Sequence, residues 1–535
     1  MDPLTREART GGEMVCRALA GLGTNAVFSV SGNQILPIYD AAPDAGLRIV
    51  HMRHESAAAY AATAWAELTG KIGAVLTSAG PGFVAALQGV GVCRSMELPL
   101  LFMSGQSATT DLGHGAFQEL DQARIAGAIC KASLAPERVE DIPGAIAEAA
   151  RLATAGVPGP VHVSLPGDLL AASGTAPEDA PESMPSELTE RQRATLEEIA
   201  ARLATAKRPL ILARPAAMRG RARTALDSIA IALEIEPVVI EAPRSLADLR
   251  YADIIRHMPD CDCALVVAPD DFAIGFLAPE RLASDGAILL IDAPGDPPPE
   301  REIDLHVQAD PAAVLEALAA SVKPSGAVDP SWSALWPVST PPEPEPVPEG
   351  EVHPLAITAG VRQRIGPDDV ILLDGGEFCQ WVRLGLRGLP NPVLWNSKFG
   401  AIGGAIPMAV GAAVALEGTG RRAIAIMGDG GAGYHLSEFE TLARYGLAIV
   451  AIIGNDARWA AEWHLQVRRY GRERTFETEL LQARYDLVAA GFESYGERVT
   501  SDEELAGALQ EAFGRRGASC INVHIAPLPS PAAMA

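Results

Sequence analysis

Short apolar runs alternate with amphipathic stretches along the chain, and this alternation predicts strands that are each followed by a helix. In the first third, apolar runs predict strands at 26–31, 48–52, 74–77, 100–104 and 161–165. Apolar positions at helical spacing predict an amphipathic helix at 57–68. Strands that alternate with helices favour a parallel α/β sheet.

The rest of the chain repeats this pattern. The middle part contains candidate strands at 209–213, 237–240, 263–267 and 287–291. The last part contains candidate strands at 370–373, 423–427, 448–453 and 520–525. We therefore predict an α/β protein with three domains, each built on a central parallel sheet flanked by helices.

Two stretches without hydrophobic periodicity divide the chain. Residues 171–185 and 325–350 are rich in proline, serine and acidic side chains, a composition typical of linkers. They predict domains at 1–175, 185–325 and 350–535, each of an ordinary size for an independently folded core. A chain of 535 residues is long enough for three such domains.

Charge and cysteine usage restrict the possible partners and compartments. The 43 Lys and Arg against 67 Asp and Glu give a net charge of −24, which argues against nucleic acid and anionic membranes as partners. The longest apolar stretches, such as 405–416, are shorter than the roughly 18 residues of a membrane span. The N-terminal residues lack a signal-peptide pattern. The cysteines are scattered and predict a reducing, cytoplasmic compartment without disulfides: Cys16, Cys93, Cys130, Cys261, Cys263, Cys379 and Cys520.

The first and third predicted domains resemble each other. The segment AVLTSAGPG at 74–82 corresponds to AIAIMGDGG at 423–431, and each is followed by a helical stretch and a second apolar strand. Gly82 precedes Gly105 by 23 positions, and Gly430 precedes Gly454 by 24. This spacing favours one fold used twice, although any α/β protein shows strand, glycine turn, helix and strand in that order.

A glycine-rich turn from Gly428 to Gly433 follows the strand at 423–427 and is expected to open a helix running through Glu438 and Leu442. The turn satisfies G-x-G-x-x-G, so a dinucleotide-binding turn is one interpretation. However, the Asp429 carboxylate would face the pyrophosphate, and a carboxylate beside a phosphate needs a cation between them.

A second carboxylate, Asp456, follows the next predicted strand. If the two strands are neighbours, Asp429 and Asp456 lie at adjacent strand ends and can share one hard cation. Mg²⁺ suits such a pair because it takes one or two carboxylates and completes an octahedron with diphosphate oxygens and water.

The order GDG, an interval of 24 residues and Asn455-Asp456 resembles the binding motif of thiamine-diphosphate-dependent enzymes. The resemblance implies that Asp429, Asp456 and the main-chain carbonyl of Arg458 hold Mg²⁺. Asp456 departs from the family, which has asparagine there, and this adds a negative charge to the site. The other residues implied to bind the cofactor in this motif are Gly428, Gly430, Gly431 and Asn455.

Further segments extend the resemblance over nearly the whole chain. Glu55, in RHESAA, resembles the family glutamate that protonates the aminopyrimidine. In KFGAIGG at 398–404, Ile402 takes the place of the residue that props the cofactor, and main-chain groups near Gly400 and Ile402 would bind the pyrimidine. The DGGEF loop at 374–378 resembles a diphosphate-side loop, which adds Gly375, Gly376, Glu377 and Phe378. TSAGPG at 77–82 and GAFQELDQ at 115–122 complete the match.

The resemblance is nearest to the acetolactate synthase, benzaldehyde lyase and 2-hydroxyacyl-CoA lyase branch. It implies pyrimidine-binding, middle and diphosphate-binding domains. It also implies a homodimer at minimum and a homotetramer as a common form, with Glu55 of one subunit facing the diphosphate site of another. The middle domain of the family binds FAD, ADP or nothing. Residues 268–272 lack the arginine-flanked flavin pattern, so FAD is not favoured.

The expected reaction is cleavage or formation of a C–C bond in 2-keto acids or 2-hydroxy ketones, similar to that of acetolactate synthase. Gln34 and Gln118 align with substrate-side positions, where neutral amides can bind a carbonyl. Trp459, Trp463 and His464 are candidates for the roof of the pocket. The absence of an adjacent histidine pair makes simple decarboxylation less favoured. The alternatives are a 2-hydroxyacyl-CoA lyase or oxalyl-CoA decarboxylase-like enzyme, and a non-catalytic nucleotide-binding protein with this fold.

Overall fold

The computed structural model describes residues 8–175, 187–239, 256–267, 286–294, 303–324, 326–335, 341–396 and 398–531. The chain forms two compact units. The first contains Met1–Thr154, Gly159–Pro181 and Pro341–Ala535, and the second contains Ala155–Pro158 and Glu182–Thr340. The first and third predicted domains thus belong to one unit.

The first sheet of the larger unit is parallel, and its strand order is β3-β2-β4-β5-β7-β6. Strands β1 and β8 pair separately as a short antiparallel ribbon. The elements of this region are β1 (Arg9–Thr10), α1 (Gly11–Gly21), β2 (Ala26–Ser29), α2 (Leu36–Ala41), β3 (Arg48–His51), α3 (Glu55–Thr69), β4 (Gly73–Thr77), α4 (Pro81–Ser95), β5 (Leu100–Gln106), α5 (Gln122–Ala126), β6 (Ser133–Leu134), α6 (Ile142–Thr154), β7 (Pro160–Pro166), α7 (Gly167–Ala171) and β8 (Ser173–Gly174).

The smaller unit contains a parallel sheet of order β10-β9-β11-β12-β13. Its described elements are α8 (Glu190–Thr205), β9 (Pro209–Ala213), α9 (Gly220–Ala232), β10 (Val238–Val239), β11 (Cys263–Val267), β12 (Ala287–Asp292), β13 (Leu305–Gln308), α10 (Pro311–Ser321) and α11 (Pro330–Ser333). One apolar core joins these strands to α8, α9 and α10. The 268–272 segment, where a flavin pattern was sought, lies outside the described residues.

The second sheet of the larger unit is also parallel, with the order β15-β14-β16-β17-β19-β18. The elements of this region are α12 (Pro354–Arg362), β14 (Val370–Leu373), α13 (Glu377–Gly385), β15 (Val393–Trp395), α14 (Ala405–Ala415), β16 (Ala423–Gly428), α15 (Asp429–Ala432), α16 (Glu438–Tyr445), β17 (Ile449–Asn455), α17 (Ala460–Tyr470), α18 (Tyr485–Gly491), β18 (Tyr495–Val499), α19 (Asp502–Gly514) and β19 (Ser519–His524).

The two sheets of the larger unit have the same strand order when each is numbered from its own first strand. In both sheets, the order from one edge to the other is second, first, third, fourth, sixth and fifth strand. This agreement supports the prediction from the sequence that one fold is used twice.

Equivalent helices of the two repeats pack on each other. Helix α3 follows the second strand of the first sheet, α14 follows the second strand of the other, and the two are in contact. Close approach requires small residues: a methyl group on Gly411 of α14 would lie 1.9 Å from the Ala61 carbonyl oxygen of α3. A single apolar core continues from α3 and α4 to α14 and strands β14, β16 and β17, while separate cores cover the outer faces of the two sheets.

The predicted α/β architecture with three parallel sheets is confirmed. One expected element is wrong: the helix after the glycine turn is interrupted, because α15 ends at Ala432 and α16 begins at Glu438. Glycine has a low helix propensity, and the intervening His435 makes tertiary hydrogen bonds instead. Among the described residues, no helix is long and apolar enough to cross a membrane.

Candidate active site

Three acidic side chains follow neighbouring parallel strands of the C-terminal sheet. Asp374 follows β14, Asp429 follows β16 and Asp456 follows β17. Strand β16 pairs with β14 on one side and with β17 on the other, and Gly428 is in register with Gly454. Because the carboxyl ends of parallel strands share one edge, the loops after these strands converge, as ligand sites in open α/β sheets do.

The Asp429 carboxylate is 2% exposed and has one oxygen, Oδ2, without a hydrogen-bond partner. Burial raises the pKa of Asp429 to about 7, and repulsion from Asp456 adds to the rise. Within the described part of the chain, no basic side chain forms an ion pair with Asp429. A buried carboxylate without a partner is costly, so this position favours a cation.

Asp456 is close enough to Asp429 for the two carboxylates to repel each other. Burial raises the pKa of the Asp456 carboxyl to about 6, although the Arg458 guanidinium favours its ionised form. The nearby main-chain N–H of Arg458 favours the ionised form of both Asp429 and Asp456, which opposes part of the rise in each pKa. The three residues predicted to hold the metal are therefore close enough to affect one another electrostatically.

The donor set fits Mg²⁺ bound together with a diphosphate. In the ranges that the structure describes, no group of three or more His, Cys, Asp or Glu side chains forms a metal site. A pair of carboxylates and one main-chain carbonyl leaves room for phosphate oxygens and water, which is how Mg²⁺ is usually held in proteins. Such an ion would provide a partner for the buried Oδ2 of Asp429, which has no hydrogen-bond partner.

The turn that carries Asp456 is held by its neighbour. Asn455 is fully buried, and its amide donates to the Asn522 side chain at 3.1 Å and to the Ala483 carbonyl at 3.0 Å. Its Oδ1 accepts the Ala457 N–H at 3.2 Å, and Ala457 has a left-handed φ of 56°. The Asn455 side chain thus shapes the turn between Asp456 and Arg458, a role that its position in the motif did not reveal.

Two glycines allow close contacts near the carboxylates. A methyl group on Gly430 would lie 2.6 Å from the Trp459 ring, and one on Gly454 would lie 2.7 Å from the Phe378 ring. Trp459 therefore packs against the glycine turn, and Phe378 packs against β17. Trp463 lies further out and stacks on the Arg458 guanidinium, whose carbon is 4.9 Å from the ring centroid. Burial lowers the pKa of His464, whose ring contacts Trp463 edge-on.

The DGGEF loop lies beside this cluster. Glu377 is 6% exposed and begins α13, and its charge contributes to the raised pKa of Asp456. Its Oε1 accepts the Ser530 N–H at 2.5 Å, so the C-terminal segment lies against the start of α13. Gly376 has a φ of 97°, a left-handed conformation that favours glycine.

The 398–404 loop lies against the DGGEF loop. A methyl group on Gly375 would lie 3.3 Å from Cγ2 of Ile402. Asn396 donates its amide to the Ala401 carbonyl in a short hydrogen bond. Gly400 has a φ of 70°. The predicted prop residue Ile402 thus lies next to the predicted diphosphate loop.

Residues of a second cluster lie at the carboxyl ends of strands in the N-terminal sheet. Glu55 is half-buried and begins α3, after β3. Its Oε1 is 3.3 Å from the position of a methyl group on Gly82, and that methyl would lie 2.5 Å from the Ser78 hydroxyl oxygen. Glu55 therefore lies against the loop after β4. Ser78, which the sequence did not single out as a site residue, lies at the centre of this cluster.

Gln34 and Gln118 meet in the same cluster, although they are distant in the sequence. The Gln34 amide donates to the Gln118 side-chain oxygen at 3.0 Å. Gln118 has a φ of 62°, which is unusual for a residue with a side chain and is often found at functional sites. Its carbonyl oxygen is 2.6 Å from the position of a methyl group on Gly80, so the two loops are in contact.

The predicted site residues thus form two half-sites. The N-terminal half-site contains Glu55, Gln34 and Gln118, and the C-terminal half-site contains the carboxylate pair and its loops. Among the described residues, no hydrogen bond or ion pair joins Glu55, Gln34 or Gln118 to Asp429, Asp456 or Glu377.

Comparison with protein families separates the same two halves. Residues 9–125 match the N-terminal thiamine pyrophosphate binding domain of thiamine pyrophosphate enzymes, and residues 374–523 match the C-terminal binding domain. Each match contains one half-site.

The chain is also similar to several named proteins over most of its length. It is 27% identical to a probable acetolactate synthase of Mycobacterium bovis, over 98% of this chain and 97% of that protein. It is 28% identical to a 2-hydroxyacyl-CoA lyase of Oryza sativa subsp. japonica, over 97% and 95% respectively. The solved thiamine diphosphate-dependent 4-hydroxybenzoylformate decarboxylase of Rhodococcus jostii RHA1 has the same fold, with a TM-score of 0.81, 23% identity and coverage of 97% and 99%.

Proposed function

Because the chain belongs to the thiamine pyrophosphate enzyme family, we propose that it is a Mg²⁺-dependent lyase or carboligase acting on 2-keto acids or 2-hydroxy ketones. Acetolactate synthase-like chemistry is the first candidate, supported by relatives of that name that match 98% of the chain. Thiamine diphosphate is its cofactor.

One observation carries the proposal: Asp429 and Asp456 follow adjacent parallel strands, and Oδ2 of Asp429 is buried without a hydrogen-bond partner. We propose that Asp429, Asp456 and the Arg458 carbonyl hold Mg²⁺. The loops around them would hold the diphosphate, through Gly375, Gly376, Glu377, Phe378, Gly428, Gly430, Gly431 and Asn455.

The cofactor, when bound, supplies a thiazolium carbanion that adds to a substrate carbonyl and accepts the electrons released by C–C cleavage. The residues of the chain position and protonate it. Glu55 holds a proton for the pyrimidine ring, while main-chain groups of Gly400 and Ile402 bind that ring and the Ile402 side chain supports it. Gln34 and Gln118 bind the substrate oxygen as neutral hydrogen-bond donors.

The family resemblance implies a dimer as the smallest active form. Within one chain, Glu55 contacts the loop after β4 and no described hydrogen bond links it to the Asp429 loops. We propose that Glu55 of one subunit serves the diphosphate site of another, in a homodimer or a homotetramer. The free, buried cysteines are consistent with the proposed cytoplasmic location.

The second candidate is a 2-hydroxyacyl-CoA lyase, because relatives with that name match the chain at similar identity and coverage. The two candidates share the cofactor chemistry and differ in the acyl carrier. The CoA moiety would need a binding surface outside the two half-sites, whereas a 2-keto acid would not.

A substrate panel distinguishes these candidates. Pyruvate, benzoin, a 2-hydroxyacyl-CoA and oxalyl-CoA are each incubated with the protein, thiamine diphosphate and Mg²⁺, and the products are identified by mass spectrometry. We expect turnover of pyruvate or benzoin that stops when either the cofactor or the metal is omitted. Turnover of the acyl-CoA alone would favour the second candidate. Binding of ADP without turnover of any substrate would contradict both and indicate a non-catalytic nucleotide-binding protein.

A further inference from the structure

We propose that Gln88, Asp374 and His435 are positioning residues that fix the Ile402–Gly403 segment in its cofactor-binding conformation, an inference that rests on the proposed function. The three side chains come from three different parts of the chain. Each binds a different main-chain polar group of the two residues.

The Gly403 N–H is held by Asp374. It lies 2.9 Å from Oδ2 and 3.1 Å from Oδ1 of the carboxylate, which is completely buried. Asp374 also accepts the N–H groups of Gly375 at 2.7 Å and Ala405 at 3.3 Å. One carboxylate thereby joins the diphosphate-side loop to the start of α14.

The Gly403 carbonyl is held by His435, whose Nδ1 lies 2.6 Å away. A carbonyl only accepts hydrogen bonds, so Nδ1 carries the proton. The neutral ring then accepts at Nε2 from the Ser56 hydroxyl, 2.8 Å away. Burial lowers the pKa of His435 to about 4, which keeps the ring neutral and this tautomer in place at ordinary pH.

The Ile402 carbonyl is held by Gln88 of α4, whose Nε2 donates to it at 3.2 Å. In the part of the chain that the structure describes, the Ile402 N–H and the Gly400 carbonyl have no protein partner. These are the main-chain groups proposed to bind the pyrimidine ring. The three side chains therefore occupy the neighbouring polar groups and leave the Ile402 N–H and the Gly400 carbonyl available for the cofactor.

The backbone of this loop needs such support. Gly400 and Gly403 have φ values of 70° and 88°, and glycine has many accessible conformations without a fixed partner. A methyl group on Gly403 would lie 2.5 Å from Cβ of Tyr434, so glycine is also required by the packing. Holding Gly403 on both sides fixes the direction of the Ile402 N–H and side chain.

A purely structural role is the competing explanation, since Asp374 also satisfies N–H groups at the start of α14. The two explanations differ in their effect on the bound cofactor. Misplacement of Ile402 would slow ionisation at C2 of thiamine diphosphate, because that step depends on its geometry. The diphosphate anchor would be unaffected, so cofactor affinity would change little.

The test compares His435→Leu, which removes the donor to Gly403, with His435→Asn, whose amide can replace Nδ1–H. The holoenzyme and each variant are assayed for the C2 hydrogen–deuterium exchange rate of bound thiamine diphosphate, for its Kd and for the melting temperature. We expect His435→Leu to slow exchange at least ~10-fold with Kd within ~3-fold, and His435→Asn to restore exchange to within ~3-fold.

His162→Leu is the matched control. His162 is also a fully buried histidine with two hydroxyl partners, Ser104 at 2.8 Å and Ser133 at 2.7 Å, and burial lowers its pKa to about 3. It belongs to neither half-site, so this variant is expected to lower the melting temperature without slowing exchange. Gln88→Met is a second test that does not alter a buried ring, and we expect it to slow exchange in the same direction.

Unchanged exchange in both His435→Leu and Gln88→Met would overturn the proposal, as would equal slowing by His162→Leu. A wild-type protein that does not bind thiamine diphosphate would overturn the proposed function, and this inference with it. If the wild-type protein binds thiamine diphosphate and exchanges its C2 proton normally, and the variants exchange at the same rate, only the positioning role is overturned.

Discussion

The two sheets of the larger unit have one strand order but different chemistry at their carboxyl ends. In the C-terminal sheet, the first, third and fourth strands are followed by Asp374, Asp429 and Asp456. In the N-terminal sheet, the loop after the third strand contains Ser78 and Gly80, and Gln106 ends the fourth. The N-terminal acid, Glu55, follows the second strand instead.

This difference shows that the fold supplies the position of the loops and not their function. The Asp429 and Asp456 carboxylates beside a glycine turn favour a cation, which suits the binding of a metal–diphosphate complex. One half-buried glutamate beside two amides suits proton transfer and recognition of a neutral carbonyl. The predictions below change one side of this comparison at a time.

The largest effect is expected from Glu55→Gln in the N-terminal half-site. Loss of the acid should lower turnover at least ~10³-fold, within the range seen for removal of a general acid or base. Steady-state kinetics measure this, and calorimetry should show thiamine diphosphate affinity within ~3-fold of wild type, because the diphosphate anchor is in the other sheet. Glu67→Gln, at the other end of α3, serves as the control. Wild-type turnover in Glu55→Gln would contradict the assignment of proton transfer to this half-site.

Asp429→Asn in the C-terminal half-site should instead lower the affinity for the cofactor, which Glu55→Gln leaves nearly unchanged. Removal of a charged metal ligand should weaken Mg²⁺-dependent thiamine diphosphate binding by ~10²-fold or more, measured by calorimetry. The apo-protein should melt a few degrees higher, because a buried negative charge without an ion-pair partner is removed.

Asp369→Asn is the matched control for Asp429→Asn. Asp369 is also buried, but it precedes β14 and so lies at the opposite edge of the same sheet, where it accepts the Gly366 and Arg422 N–H groups. Cofactor affinity should be retained in this variant. Equal loss of affinity in both variants would mean that the sheet is generally damaged.

Changes at Gln34 and Gln118 should affect the substrate and not the cofactor. Each change to leucine should raise the substrate KM or alter the product ratio by ~10-fold, the usual effect of losing a hydrogen bond to a bound group. Because the two amides are bonded at 3.0 Å, the double variant should lose little more than the worse single variant. Strictly additive losses would contradict a shared role.

The smallest effect is expected from Asp456→Asn, which restores the asparagine of the family motif. An amide oxygen still ligates Mg²⁺ but carries no charge, so Mg²⁺ affinity should fall by only ~3–10-fold. Titration of the apo-protein with Mg²⁺ in the presence of thiamine diphosphate measures this. A loss as large as that of Asp429→Asn would show that the second charge is essential here.

Buried strands were predicted well from the sequence. The strands at Pro209–Ala213, Cys263–Val267 and Val370–Leu373 have the predicted bounds, because parallel strands buried on both faces are continuous apolar runs. The partly exposed edge strands β15 and β18 were not predicted, since their polar and apolar residues give no clear period. The interruption between α15 and α16 depends on tertiary hydrogen bonds of His435 and could not be read locally.

The site residues were predictable where strand order alone brings them together. Asp429 and Asp456 follow consecutive strands along the chain, so the neighbourhood of β16 and β17 could be inferred. Gln88 and Ile402 are in contact only because α4 packs near the 398–404 loop, more than 300 positions away in the sequence. No local pattern marks such a contact.

We assign metal–diphosphate binding to the C-terminal sheet and proton transfer to the N-terminal sheet. The position of the metal tests this assignment most directly. A crystal grown with Mn²⁺ and thiamine diphosphate gives an anomalous difference map in which the ion is identified independently of any assumed ligand. We predict a peak bound by the carboxylates of Asp429 and Asp456 and by the Arg458 carbonyl, at the carboxyl edge of the C-terminal sheet. Bound cofactor with the peak elsewhere, or with no peak between these residues, would contradict the account.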